Sequence, residues 1–195
     1  MSSSHIGEKL QIVAFSTNDS KQTPNDIINK FLEQKDHTIL KKTRHTYAFS
    51  IKLKNSTKTT NIMIFSALNL TREYPGITDV NCYLLFIDLE KEESIKKLQD
   101  IINYAKDYCE LNKKIFVIGM LSGNENETKY INKSNITKIL DEIQATYEYR
   151  EINLSSIQEV VDAIMLVIDY SSKHSINGDI SNEKENSQAK SCILF

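Results

Sequence analysis

The residues best suited to chemistry fall in two places. One is Cys192-Ile193-Leu194-Phe195, a thiol followed by two aliphatic residues and a terminal Phe. That pattern fits alkylation of the cysteine sulfur by an isoprenoid, with Phe favouring geranylgeranyl. The other is Ser16-Thr17-Asn18-Asp19-Ser20-Lys21-Gln22-Thr23, a polar loop between an apolar run and a segment with helical spacing. A loop so placed can wrap a phosphate, with a Lys on the outer phosphate oxygens and a Ser or Thr hydroxyl on Mg²⁺. Lys21 and Thr23 are the candidates. Gln22 separates them, however, and no glycine lies between Gly7 and Gly76. Phosphate loops turn backbone N–H groups inward in conformations that a Cβ penalises, so the missing glycine weighs against this chemistry.

Other reactive side chains are isolated. Asp88 ends an apolar run, where α/β sites gather, and also suits the capping of a helix. A phospho-acceptor role would require acidic partners after the first strand and a lysine after the fifth. Asp19 is a weak match to the former, and Met120-Leu121 offers no lysine. His5, His37, His45 and His174 have no carboxylate or cysteine beside them at ligand spacing. Cys82, Cys109 and Cys192 are too far apart for a zinc site or a disulfide framework to be inferred. Ser94 lacks the context of a nucleophile elbow.

The elements that would position these groups follow from periodicity. Lys9 to Phe15 is a strand, and Pro24 opens a helix through Ile27, Ile28, Phe31 and Leu32. Lys35 to Thr43 reads as a polar connector. Tyr47 to Lys54 alternates with period two, Asn55 to Lys58 has turn chemistry and Ile62 to Phe65 is apolar, which together give an antiparallel hairpin. Val80 to Ile87 and Lys114 to Gly119 are nearly continuous in apolar residues, as parallel strands covered on both faces must be. Helices follow through Ile95 to Cys109 and Ile136 to Tyr147, then a weaker edge strand over Tyr149 to Leu154. A last helix runs from Ile157 to Tyr170. Ser171 to Ser191 is polar and aperiodic, so it reads as a flexible tail. With right-handed crossovers, this order gives an α/β fold. Its sheet has six strands and is mostly parallel, with one antiparallel edge strand and helices on both faces.

Composition limits function more than it defines it. The 195 residues suffice for one domain with a sizeable core and a tail. A formal charge of −2 gives no basic field, so no nucleic-acid partner is expected. The start of the chain has no apolar segment of signal-peptide type, Ser2 excludes myristoylation, and no apolar run approaches membrane-spanning length. The expected compartment is therefore the cytoplasm.

The element order, the hairpin as second and third strands and the terminal cysteine box resemble the Ras superfamily of small GTPases, and the Rab branch most closely. The resemblance covers roughly Lys9 to Tyr170. It is carried by Val80–Asp88 with Glu92-Glu93-Ser94-Ile95, by Lys113–Gly119, and by the spacing of Glu151–Ser155 to Val160. It implies a P-loop NTPase fold, with residues 1–170 as a small-GTPase-like domain and 171–195 as a flexible tail bearing the prenylation box at Cys192. The family's magnesium and water-positioning motif falls on Ser66-Ala67-Leu68-Asn69-Leu70. Its guanine-reading motif falls on Met120-Leu121-Ser122-Gly123, and its Ser-Ala-Lys motif on Asn153-Leu154-Ser155. None of these keeps the family's functional side chains, and neither Thr43 nor Thr46 aligns with the switch threonine.

The resemblance therefore implies a pseudoGTPase. Such a protein would be a prenylated interaction module of vesicle trafficking or signalling on the cytosolic face of a membrane, holding effector, scaffold or prenyl-carrier proteins. No catalytic residue, metal or cofactor is expected. Two alternatives stay open. One is a divergent GTPase that binds GTP or GDP with Mg²⁺ through Lys21, Thr23 and non-standard contacts. The other is a soluble structural subunit with an unmodified Cys192.

Overall fold

In the computed structural model the described residues are 9–17, 24–43, 46–53, 59–67, 80–108, 113–123, 129–142, 144 and 146–181. Their organisation follows from strands buried on both faces. β1 (Lys9–Ser16) lies in the middle of the sheet, paired in parallel with β4 (Thr59–Ala67) on one side and β5 (Cys82–Asp88) on the other. β6 (Ile115–Leu121) and β7 (Tyr147–Asn153) extend the parallel part beyond β5. Beyond β4, β3 (Thr46–Lys52) runs antiparallel to it, and β2 (His37–Lys42) runs antiparallel to β3. The sheet order is β2-β3-β4-β1-β5-β6-β7.

Side-chain alternation divides β1 and β5 between two cores. Leu10, Ile12 and Ala14 of β1 join Cys82, Leu84 and Phe86 of β5 on one face. That face is covered by α1 (Pro24–Leu32) and α4 (Ile157–Ser181). Val13 and Phe15 join Tyr83, Leu85 and Ile87 on the other face, under α2 (Ser94–Tyr108) and α3 (Lys133–Asp141). Each helix supplies one apolar stripe. In α1 the stripe is Ile27, Ile28, Phe31 and Leu32, and in α3 it is Ile136, Ile139 and Leu140. At the start of α3, Asn132 and Asn135 bond reciprocally, each side chain to the other's backbone N–H.

Three features depart from the sequence expectations. The sheet has seven strands, because the stretch read as a polar connector forms β2. All six residues of β2 are exposed, so no face of it carries the apolar alternation by which strands are recognised. The antiparallel strand β3 consequently lies one position in from the edge. The last helix does not stop at Tyr170 but continues to Ser181. Ser171 is fully buried: its hydroxyl donates to the Val167 carbonyl at 2.8 Å, and its Oγ lies 3.1 Å from Cys82 Sγ. A serine satisfied by the preceding helical turn can continue a helix into the core although composition reads as tail.

Gly119 shows how tightly β6 is seated. A Cβ there would lie 2.8 Å from Leu89 Cδ1 and 2.8 Å from the Tyr149 hydroxyl. Gly119→Ala is expected to destabilise the fold by about 1–3 kcal/mol in urea unfolding. Adding Tyr149→Phe to that variant should recover part of the loss, since it removes one of the two clashing atoms. Purely additive effects would show that Tyr149 is not the obstacle.

Candidate functional site

Ligands of open α/β sheets bind outside the carboxyl ends of the strands, where the chain's crossovers diverge. Here the chain leaves β1 toward β4 and later returns to build β5, β6 and β7 on the other side. The divergence point is therefore the gap between the carboxyl ends of β1 and β5. Thr17, the first residue after β1, spans it. Its N–H donates to the Phe86 carbonyl at 3.0 Å, and its Oγ1 accepts from the Asp88 N–H at 3.1 Å. Thr17 is 1% exposed and Asp88 8%. β1 thus continues its pairing with β5 by one residue beyond Ser16. The Thr17 and Asp88 N–H groups are both engaged within the chain.

The neighbouring strand ends are linked in the same way. Asp88 Oδ1 accepts from the Glu90 N–H at 3.1 Å, as a capping aspartate does, and Lys91 Nζ lies 3.5 Å from Asp88 Oδ2. The Glu90 carboxylate then reaches β6, where Oε1 accepts from the Ser122 N–H at 2.9 Å and from its hydroxyl at 3.2 Å. The Leu89 N–H donates to the Met120 carbonyl at 3.0 Å. Met120, on which the resemblance would set the guanine-reading motif, is buried at 2% exposure among apolar side chains.

Gly123 adopts φ +84°, and a Cβ there would collide with the Asn153 and Ser155 side chains. Only glycine meets both conditions. Asn153 Oδ1 accepts from the Ser155 N–H at 2.9 Å and from its hydroxyl at 2.8 Å. The Asn153 N–H donates to Glu159 Oε2 at 2.7 Å, tying the end of β7 to the first turn of α4. From α1, Lys30 Nζ donates to the Leu154 carbonyl at 3.2 Å.

The expected site residues are thus dispersed. Lys21, Thr23 and Cys192, with Asp19, His5, His45 and Cys109, lie outside the described residues, as do Leu68, Asn69 and Leu70, on which the resemblance would set the water-positioning motif. Thr43 and Thr46 lie against each other beside the ends of β2 and β3, where the Thr46 N–H donates to Thr43 Oγ1 at 3.0 Å. Cys82 sits in the core, and burial pushes its thiol pKa up to about 12 against the smaller opposing effects of Ser171 and Lys114. That makes it packing rather than nucleophile. Ser94 is also buried, and among the described residues its hydroxyl has no partner. Among the described residues no cluster of His, Cys, Asp or Glu is placed to hold a metal ion. Nor is any helix among them long and apolar enough to cross a membrane.

No family model and no curated protein matches this chain. What the geometry itself establishes is an α/β unit with a mostly parallel seven-stranded sheet, whose strand ends are joined to one another by internal hydrogen bonds. Sequence reading missed Thr17 and Glu90, because neither has a motif spacing. The carboxylate that joins β5 to β6 lies 32 residues from its serine partner.

Two measurements test this arrangement. Thr17→Val keeps the side-chain shape but removes the hydroxyl that accepts from the buried Asp88 N–H, and is expected to cost about 1–3 kcal/mol in urea unfolding. The second concerns the rim of β7, where Glu151 accepts from Lys129 at 2.6 Å and from the Tyr149 hydroxyl at 2.8 Å. Partial burial raises the Glu151 pKa, but these bonds and the charges of Lys129 and Lys133 outweigh it, so the net shift is downward. A depressed carboxylate pKa stabilises the fold above its unfolded value, about 4.3, and that stabilisation is lost as pH falls through the folded value. The stability difference between the parent and Glu151→Gln should therefore shrink on acidification below pH 4. A difference that stays constant would remove the charge from the account.

Proposed function

We propose that this chain has a small-GTPase-like P-loop fold of Rab type whose nucleotide site has been given over to internal contacts. It acts as a membrane-associated interaction module rather than as a GTP switch. The fold part of this reading is supported by the sheet. Setting aside β2, the order β3-β4-β1-β5-β6-β7, with β3 antiparallel, is the arrangement that the resemblance implies. Two helices on each face follow the same scheme.

The loss of nucleotide binding rests above all on Thr17. A phosphate at the divergence point needs free, inward-turned N–H groups. The Thr17 amide is bonded to Phe86, and its hydroxyl holds the Asp88 amide. Glu90 on Ser122 and Ser155 on Asn153 commit further polar groups next to the base-reading positions. A ligand entering there would have to break these bonds and would meet the Glu90 carboxylate. The segment between α1 and β3, where a nucleotide-dependent switch would lie, is instead paired as a strand along β3.

Membrane association rests on Cys192. Between Ser181 and Cys192 the only basic residues are Lys184 and Lys190, interleaved with Glu183 and Glu185. A single lipid without a polybasic patch binds membranes reversibly, which fits exchange with a soluble prenyl-carrier protein.

Two experiments separate the parts of this reading. Thermal melting with micromolar GTP or GDP and Mg²⁺ is expected to leave Tm unchanged. A rise of several degrees would instead support the divergent GTPase, since a ligand that binds the native state must stabilise it. In cells, Cys192→Ser is expected to move the protein from membranes to the soluble fraction. Equal membrane retention of parent and variant would exclude the prenyl anchor.

A further inference from the structure

β7 ends the sheet on the side away from β2, and no described strand pairs with its outer edge. The bonds to β6 fix which of its main-chain groups point outward. At one end the Ile115 N–H donates to the Thr146 carbonyl at 2.9 Å, and at the other the Leu154 N–H donates to the Leu121 carbonyl at 2.8 Å. Successive residues of a strand turn their N–H and C=O to opposite sides, so Glu148, Arg150 and Ile152 also direct theirs to β6. Tyr147, Tyr149, Glu151 and Asn153 direct theirs away from the sheet. The Asn153 N–H is already held by Glu159 at 2.7 Å, which closes that end of the edge. The stretch left open, Tyr147 to Glu151, is centred on Tyr149.

The charged side chains have the same centre. Glu148 and Arg150 flank Tyr149 on the face covered by α4, where both border Leu166 and Val167. Glu148 is 40% exposed and holds Lys114 through Oε2 at 2.6 Å, and a carboxylate has a second oxygen for a further cation. Arg150 is half-buried, yet among the described residues its guanidinium makes no hydrogen bond or ion pair.

We propose that β7 pairs with β7 of a second copy of this chain, antiparallel about a two-fold axis at Tyr149, so that two sheets become one. Tyr149 exchanges main-chain bonds with its own counterpart, and Tyr147 with Glu151. In the same register Glu148 of each copy lies directly opposite Arg150 of the other. Moving the axis by one residue sets Glu148 against Glu148 or Arg150 against Arg150, and the second of these also calls on the N–H that Glu159 holds. Registers between these set outward-facing groups against residues bonded to β6. An unrelated strand would find the same main-chain groups, but only a second copy matches the acid and base on both sides of the axis by symmetry. The inference does not depend on the function proposed above.

The test follows the full-length protein, made without lipid modification, by sedimentation velocity and amide hydrogen exchange over a range of concentrations. The parent is expected to dimerise, with exchange at Tyr147, Tyr149 and Glu151 slowing as concentration rises. Glu148→Arg and Arg150→Glu each place like charges across the axis and should weaken self-association about tenfold or more. An equimolar mixture of the two variants should associate again, because each then faces its opposite; that recovery also shows that both have folded. The exchange measurement needs no variant, so it decides even where a substitution disturbs the Lys114–Glu148 pair. The proposal is overturned if the parent stays monomeric up to about 100 μM, or if it associates without slowing exchange in β7. It is also overturned if either variant self-associates as tightly as the parent.

Discussion

The contact on which the candidate site depends is Thr17 bridging β1 and β5. It uses one backbone donor and one side-chain acceptor to carry the parallel pairing of these strands past the end of β1. Because β1 and β5 lie where the chain's crossovers diverge, this contact joins the two strand ends at the place where such sheets offer a crevice to ligands. Asp88 then bonds the Glu90 amide, and Glu90 reaches Ser122. One short polar residue thereby starts a run of bonds that links three strand ends. Buried polar groups satisfied in this way are costly to re-expose, which gives the arrangement its rigidity.

The rest of the fold keeps this region in place through packing. β5 is buried along its whole length and gives alternate side chains to the two cores, so its register against β1 is fixed from both faces. Gly119 lets Leu89 and Tyr149 close over β6, and Gly123 lets Asn153 and Ser155 close over its end. In a chain with only five glycines, these two mark places where neighbouring side chains come too close for a Cβ.

Much of this was legible in the sequence, and the failures have physical causes. The continuous apolar runs at β5 and β6 and the stripes of α1 and α3 identified themselves, because burial on two faces or on one stripe is the same property that pattern reading detects. β2 escaped because it is held by backbone pairing to β3 and buries no face. The end of α4 escaped because Ser171 is accommodated in the core by its own helical turn and Cys82, a tertiary effect that composition does not carry. At the candidate site, the sequence showed which glycines and carboxylates were missing. It could not show that Thr17 and Glu90 bond across the strand ends, since their partners lie 71 and 32 residues away.

The central proposal is that internal contacts occupy the place of a nucleotide. It is tested most directly by the nucleotide content of freshly purified, full-length protein, denatured and resolved by anion-exchange chromatography. The account predicts no guanine nucleotide above a trace. GDP or GTP recovered at close to one mole per mole of protein would contradict it, because the bonds of Thr17 and Glu90 would then have to coexist with, or yield to, a bound phosphate.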